Sequence, residues 1–285
     1  MGCSHALAGA LQLTHQLARH LPFDQIGQRL ESSAVRNYLL PVKSSLAALV
    51  TCTLVFAAAA PPPAKKPAPL YQQLKRANID GIGKFYMGRE ISHVMGHRGA
   101  RWLERPERER EEGTTEMIHC LKLKPGDQVA DIGVGTGYIA RRLSKVIGPK
   151  GTIFGVDIQP EMLALLDKKM KAAGINNIKG VMGTISDPKL VPNSLDFVIM
   201  VDVYHEFSHP YEMMAGIVKA LKPGGRVAFV EYRGEDPKVP IKRLHKMTEA
   251  QVKKEAALFS LKHVQTYKKL PWQHVVFFEK VKTTK

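Results

Sequence analysis

The sequence predicts an α/β protein built on a doubly wound, mostly parallel sheet. Three observations carry that expectation. From Leu121 onward, short apolar runs alternate with helical patterns, the signature of βαβ units. Val129 to Gly137 (Val-Ala-Asp-Ile-Gly-Val-Gly-Thr-Gly) reads as a buried strand that turns through glycines into a helix, and Phe154 to Asp157 reads as a second strand ending in a carboxylate. Two closing apolar runs, His263 to Tyr267 and His274 to Glu279, flank a Pro-containing turn, which suits an antiparallel hairpin at the sheet edge.

The elements follow in order. Lys124-Pro-Gly-Asp127 is a turn ahead of strand one, Gln128 to Ile132. The helix after the glycine turn carries Ile139, Leu143 and Val146 on one face and stops at Gly148-Pro149. Strand two runs from Thr152 to Val156. Pro160 opens the next helix, with Met162, Leu163, Leu166 and Met170 inward, and Gly174 ends it. Strand three is Ile178 to Met182 and strand four Leu195 to Val201. A helix from Pro210 to Leu221 ends at Lys222-Pro-Gly-Gly before strand five, Arg226 to Glu231. Thr248-Glu-Ala-Gln251 has the pattern of a capping box, with Met247 and Val252 as its hydrophobic staple.

Upstream, the composition divides the chain further. Residues 1–60 form an extension in which an apolar run, Leu46 to Ala60, follows the basic residues Arg36 and Lys43. The run is shorter than the ~20 apolar residues of a spanning helix, and its alanine-rich exit resembles that of a secretory signal peptide. Such peptides begin at a terminus, so translation from near Val35 is one expectation and a membrane tether the other. Residues 61–69 are a stiff Pro/Ala/Lys linker. Residues 70–120 are polar and read as a helical lid, ahead of a main domain over 121–285.

Bulk composition excludes several classes. Lys plus Arg is 42 against 26 for Asp plus Glu, a formal net charge of +16. That charge is spread over helix faces with no interleaved aromatic platform, so a solvated basic surface is expected and a nucleic-acid partner is not. Cys3, Cys52 and Cys120 are too far apart in sequence for a disulfide framework or a zinc site, and Cys120 reads as a small buried hydrophobe.

The glycine turn narrows the chemistry. A strand, a glycine turn and a helix N-terminus form a nucleotide-binding unit, with an acid at the end of the next strand where a ribose presents its hydroxyls. The spacing here is G-x-G-x-G, and Asp131 stands two residues before the first glycine, where a dinucleotide fingerprint has an apolar residue. An acid there repels pyrophosphate and suits a cation.

The ordered set is the Asp131–Gly137 loop, Asp157, Asn193-Ser-Leu-Asp196 and Leu221-Lys-Pro-Gly-Gly225. Over roughly Leu121 to Lys280 it resembles the class I S-adenosylmethionine-dependent methyltransferases, in particular the small-molecule "type 11" group. The resemblance implies a Rossmann-like methyltransferase fold, a seven-stranded sheet with an antiparallel C-terminal strand, and S-adenosylmethionine as cofactor. It further implies that Asp131, Gly133, Gly135 and Gly137 hold the methionine end, that Asp157 takes both ribose hydroxyls, and that Ile158 lies against adenine. Family members commonly carry an acid just after strand three. Here Gly183 is followed by Thr184, so the adenine contact falls to the Thr184 hydroxyl or to backbone at Gly183.

His205-Glu-Phe-Ser-His209 matches H-E-x-x-H, the zinc metalloprotease signature, which requires both histidines one turn apart on a continuous helix. Strand four runs up to the motif and Pro210 follows it, so the helix starts after it and no metal role is expected. In an open α/β sheet the segment lies on the ligand-binding rim. Asp202 is then expected to contact cofactor or substrate. His205 points toward the acceptor as general base or orienting donor, the alternative being a packed histidine at a strand–helix junction. Glu231 and Tyr232, ending strand five, and Arg89 and Trp102, in the lid, are further substrate-side candidates; an amphipathic segment covering the sheet edge is the alternative for the lid.

The function expected is methyl transfer to a small-molecule or lipid-like acceptor. Nucleic-acid methylation is an alternative, disfavoured because Asp202-Val-Tyr-His stands where base-modifying enzymes have Asn/Asp-Pro-Pro-Tyr. A single cysteine after the linker is too few for arsenite methylation, and the loop spacing disfavours a dehydrogenase. A membrane-tethered, non-catalytic interaction module is the remaining alternative. Location follows neither way, since the apolar run points to export or tethering and the cofactor to the cell interior; oligomeric state is left open.

Overall fold

Seven strands form the central sheet in a computed structural model that describes residues 70–74 and 78–282. The signal- or anchor-like run 46–60, the linker 61–69, Cys3 and Cys52 lie outside the described residues. Among the described residues no helix is long and apolar enough to cross a membrane.

The strands are β4 (Gln128–Ile132), β5 (Thr152–Asp157), β6 (Ile178–Met182), β7 (Leu195–Val201), β8 (Leu221–Tyr232), β9 (Leu261–Tyr267) and β10 (Gln273–Lys280). Their order is β6-β5-β4-β7-β8-β10-β9. The first five are parallel, while β10 pairs antiparallel with both β8 and β9. β4 to β7 thus match the expected strands one to four almost residue for residue. β8 begins earlier than expected, because the Lys222–Gly225 turn residues stay alongside β7 through a register shift between Leu195 and Phe197.

Alternation along the strands sends side chains to two cores. Val129, Ile153, Phe197 and Ile199 pack with Ile139, Leu143 and Ile147 of α3 (Tyr138–Ile147) and Leu166 and Met170 of α4 (Pro160–Ala173). Ala130, Val156, Val198 and Met200 pack with Met213, Met214 and Ile217 of α5 (Pro210–Ala220) and Val252 and Ala256 of α6 (Glu249–Ala256). Helices therefore cover both faces, as doubly wound sheets require. In α3 the inward position is Ile147; Val146, expected inward, is turned toward solvent. The Thr248 side chain caps α6 by accepting from the Gln251 N–H at 3.1 Å. The reciprocal half of the box is missing, since Gln251 Nε2 donates to Met87 and Glu255.

The lid departs from expectation. Its first half is a three-stranded antiparallel sheet, β1 (Tyr71–Gln73), β2 (Gly81–Tyr86) and β3 (Arg89–Ser92), followed by two 3-10 turns (His97–Gly99 and Trp102–Glu104) and the short helices α1 (Arg108–Glu112) and α2 (Thr114–Cys120). The reason lies in Met87-Gly88: both residues adopt positive φ (48° and 96°), the turn of a two-residue hairpin, and the flanking Tyr86 and Ile91 are fully buried. Arg89 locks this sheet to the main domain. Its guanidinium donates to both Glu255 carboxylate oxygens (2.6 and 3.2 Å) and to the His205 carbonyl (3.2 Å).

Breaking a buried ion pair by removing one partner strands the other charge. Glu255→Ala is therefore expected to lower unfolding free energy by about 3–5 kcal/mol in denaturant titration. A loss under about 1 kcal/mol, the scale of an exposed pair, would show that this contact does not hold the lid.

Candidate functional site

Strand order reverses between β4 and β7, the point at which open α/β sheets bind ligands beyond the strands' carboxyl ends. A cavity of about 470 Å³ opens there, roofed by lid residues such as Val94, Met95, Trp102 and Leu103.

The glycine loop forms one wall. Gly133 and Val134 both donate to the Val156 carbonyl (2.8 and 3.0 Å), which pins the turn to β5. Gly133 and Gly135 have φ of 73° and 55°, and a Cβ there would fall 2.5 Å from Val203 and 2.6 Å from Leu103. Only glycine fits these two positions without displacing the wall. Gly137 sits deeper, packed on Leu166, where it starts α3.

Three aspartates stand at this edge. Asp157, last residue of β5, accepts from Gly135 N–H at 3.0 Å and from Gln159 N–H at 2.9 Å, one on each oxygen. Each oxygen keeps a lone pair free. Burial raises its pKa, and these donors offset part of the rise. Asp131 is buried just beneath the cavity floor, with Oδ2 unpartnered, and burial pushes its pKa up to about 7 despite the Arg108 charge. Asp202 follows β7 in the left-handed region (φ 51°). Its Oδ2 accepts from Gln273 Nε2 at 2.7 Å while Oδ1 is buried without a partner. Burial, then the Glu112 and Glu231 charges, raise its pKa well above the ordinary value.

His205 also lines the cavity, from a 3-10 turn over Tyr204–Glu206. Its Nδ1 is 2.6 Å from Glu231 Oε2, and Glu231 Oε1 accepts the Tyr204 N–H at 3.0 Å. A carboxylate on Nδ1 fixes the neutral tautomer with the proton there and the Nε2 lone pair directed away. Burial lowers the His205 pKa, but the Glu231 charge and hydrogen bond outweigh it, and the net direction is upward. Beside it Glu206 accepts from the Met95 N–H at 3.1 Å, and burial raises its pKa to about 7. His245 packs edge-on to His205 with ring centroids 5.2 Å apart, and burial takes its pKa down to about 4.

The sequence-predicted residues divide accordingly. Gly133, Gly135, Asp157, Ile158, Thr184, Asp202, His205, Trp102 and Tyr232 all line the cavity. Asp131, Gly137 and Gly183 support its walls from behind; Gly183 N–H bonds the Asp157 carbonyl at 2.9 Å. Two substrate-side expectations fail. Arg89 is spent on Glu255 and the His205 carbonyl, and Glu231 is fully buried behind His205, so neither lines the cavity. The Thr184 hydroxyl accepts from the Ser186 and Asp187 N–H groups, which ties up the group expected to meet adenine.

Several lining residues were not anticipated. Arg105, Arg108 and Glu112 belong to the polar lid segment, yet Arg108 and Glu112 are buried and Arg105 partly so: Glu112 accepts from both arginines (2.6 and 2.5 Å) and from Tyr232 (2.8 Å). The i,i+4 spacing of Arg108 and Glu112 was the available signal. Ile185, Ile241 and His245 come from loops with no motif at all.

Residues 129–225 match the methyltransferase-domain family model. Over that span the chain carries the sequence pattern of a methyltransferase domain. Among curated proteins it is similar to the ubiquinone/menaquinone biosynthesis C-methyltransferase UbiE of Wigglesworthia glossinidia brevipalpis, 32% identical over 117 residues, covering 41% of this chain and 47% of that protein. The corresponding enzyme of Ectopseudomonas mendocina is 27% identical over 116 residues, covering 40% and 45%. The chain thus spans just under half the length of these relatives. Its fold matches that of a SAM-dependent methyltransferase from Aquifex aeolicus (TM-score 0.63, 22% identity, 66% of this chain and 100% of that one). A putative type 11 methyltransferase from Sulfolobus solfataricus also matches (TM-score 0.51, 18% identity, 61% and 95%).

In such a domain Asp131 costs stability. Its pKa rises from 3.8 to about 7 on folding, so the folded chain keeps a proton that the unfolded chain releases. Stability is then lost as pH rises between those values and stays lower above them. Asp131→Asn is expected to be more stable than the parent at pH 8, by up to roughly 4 kcal/mol, with the gap closing toward about pH 4. A variant less stable than the parent at pH 8 would contradict this.

Proposed function

We propose that the chain transfers a methyl group from S-adenosylmethionine to a small, largely apolar acceptor carrying one ionisable group. The observation that carries the reading is a cavity lined both by the glycine wall with Asp157 and by His205, which Glu231 backs.

The residues fit the cofactor. Gly133 and Gly135 line the cavity with backbone and no side chain, which suits close approach by a ligand. Asp157 holds two free lone pairs for ribose hydroxyls, its direction set by the Gly135 and Gln159 N–H groups. The unpartnered Asp202 Oδ1 suits an ammonium group, because buried carboxylates are stable only when compensated. Ile158 and Met162 provide apolar wall for the adenine. When bound, S-adenosylmethionine supplies a methyl group activated by its sulfonium.

The chain's own contribution is positioning and proton handling. Fixing two reactants in line removes up to roughly 7–11 kcal/mol of barrier. Val94, Leu103, Phe207, Met213 and Ile241 give the acceptor an apolar seat and exclude water, which supports a lipid-like or aromatic ring. The His205 Nε2 lone pair receives the acceptor's proton or holds its polar group, with Glu231 stabilising the imidazolium that results. The curated relatives are named for C-methylation in quinone biosynthesis, which agrees with a ring acceptor of this kind.

Calorimetry with S-adenosylhomocysteine separates this reading from a non-catalytic interaction module. Binding to the parent chain, weakened at least about 10-fold (1.4 kcal/mol) by Asp157→Ala, is expected. No binding to the parent would remove the enzyme reading. With radiolabelled methyl donor and a panel of phenolic and quinol acceptors, His205→Ala is expected to lower kcat about 10²- to 10⁴-fold while cofactor affinity stays unchanged. Undiminished kcat would remove His205 from the chemistry.

A further inference from the structure

We propose that His205, Glu206 and His245 bind one divalent transition-metal ion at the acceptor end of the cavity. The placement at the acceptor rests on the methyl-transfer reading above; the metal site itself does not. The sequence gives no cause to expect it, because the H-E-x-x-H spacing pairs His205 with His209. In the structure His209 stands at the N-cap position of α5 instead, with Nδ1 3.0 Å from Ser208 Oγ. The second imidazole comes from His245, forty residues away in a 3-10 turn over Arg243–His245.

Geometry is the first support. One ligand atom from each of the three residues lies within 4.8 Å of the others, with His205 Nε2 4.0 Å and His245 Nδ1 3.9 Å from Glu206 Oε1. A point equidistant from three such atoms is roughly 2.5 Å from each, a few tenths of an ångström beyond Zn–N and Zn–O bonds of about 2.0–2.2 Å. Small rotations of the half-buried His245 close that gap. All three residues line the cavity, so further coordination positions face the acceptor.

The surroundings are built as metal sites are. A histidine ligand characteristically donates its other N–H to a carboxylate, and His205 Nδ1 meets Glu231 at 2.6 Å. Glu206 is held by the Met95 N–H. It is 9% exposed, and a cation on Oε1 would compensate a carboxylate that has one backbone donor and no lysine or arginine partner among the described residues. Two imidazoles and one carboxylate select zinc, iron, cobalt or nickel over magnesium or calcium. The Glu206 and Glu231 charges together balance a dication.

Such an ion sharpens the role of His205. With an ion bound, its Nε2 lone pair would hold the metal in place of taking the acceptor's proton, and the ion would acidify an acceptor O–H bound beside it, as it does a bound water.

The test titrates Co²⁺, and separately Zn²⁺, into chelator-stripped full-length chain, read by cobalt absorption and by calorimetry. One equivalent is expected, with affinity at least 10-fold lower in each of His245→Ala and Glu206→Gln. S-adenosylhomocysteine affinity is expected to be unchanged in both variants, which reports that each is folded. Absence of stoichiometric binding, or binding that both variants retain, would overturn the site. If S-adenosylhomocysteine binds and cobalt does not, the metal site fails and the methyl-transfer reading stands; the reverse pattern sinks that reading and leaves the site.

Discussion

Burying carboxylates is costly, and this fold concentrates them on one edge of its sheet. Asp131, Asp157 and Asp202 sit at or next to the carboxyl ends of β4, β5 and β7, the first two buried and the third with its Oδ1 removed from water. Parallel strands put their C-terminal ends together, so the topology itself gathers these side chains around the crevice. The apolar faces that drive folding lie below that edge and are indifferent to it. What the carboxylates cost in stability they return as a place where a cationic, hydroxyl-rich ligand is favoured over water.

The lid is attached by the same kind of interaction. Arg89 reaches Glu255 across to α6, and Glu104 bonds Thr136 and Arg141 at the start of α3. Gln159 clasps the lid through the His97 N–H and the Met95 carbonyl, each within 3.0 Å. These contacts hold Trp102, Leu103 and Met95 over the cavity while leaving its interior mostly apolar. A lid fixed by a few charged contacts on the sheet's rim closes the site without adding to either core.

Much of this was legible in the residues. Periodicity located β4, β6 and β7 to the residue, and the Asp131–Gly137 and Asp157 patterns identified the cofactor edge because turn and capping chemistry is local. The lid was misread as wholly helical because its first half has no strong alternation: Lys84 and Glu90 interrupt the apolar positions, and only the Met87-Gly88 turn marks the hairpin. Arg89 and Glu231 were placed on the substrate because an isolated charge near a rim gives no sign of its partner; Glu255 and His205 are distant in sequence. His245 was invisible for the same reason. Pairings between loops are products of tertiary packing, and nothing periodic announces them.

The central claim is that the carboxylate edge sets the orientation of the cofactor. Crystals grown with S-adenosylhomocysteine test it most directly. The account predicts electron density with both ribose hydroxyls within hydrogen-bond distance of Asp157 and the amino group directed at Asp202, leaving the sulfur facing His205. Density with the ribose away from Asp157, or with the ligand outside this cavity, would contradict it.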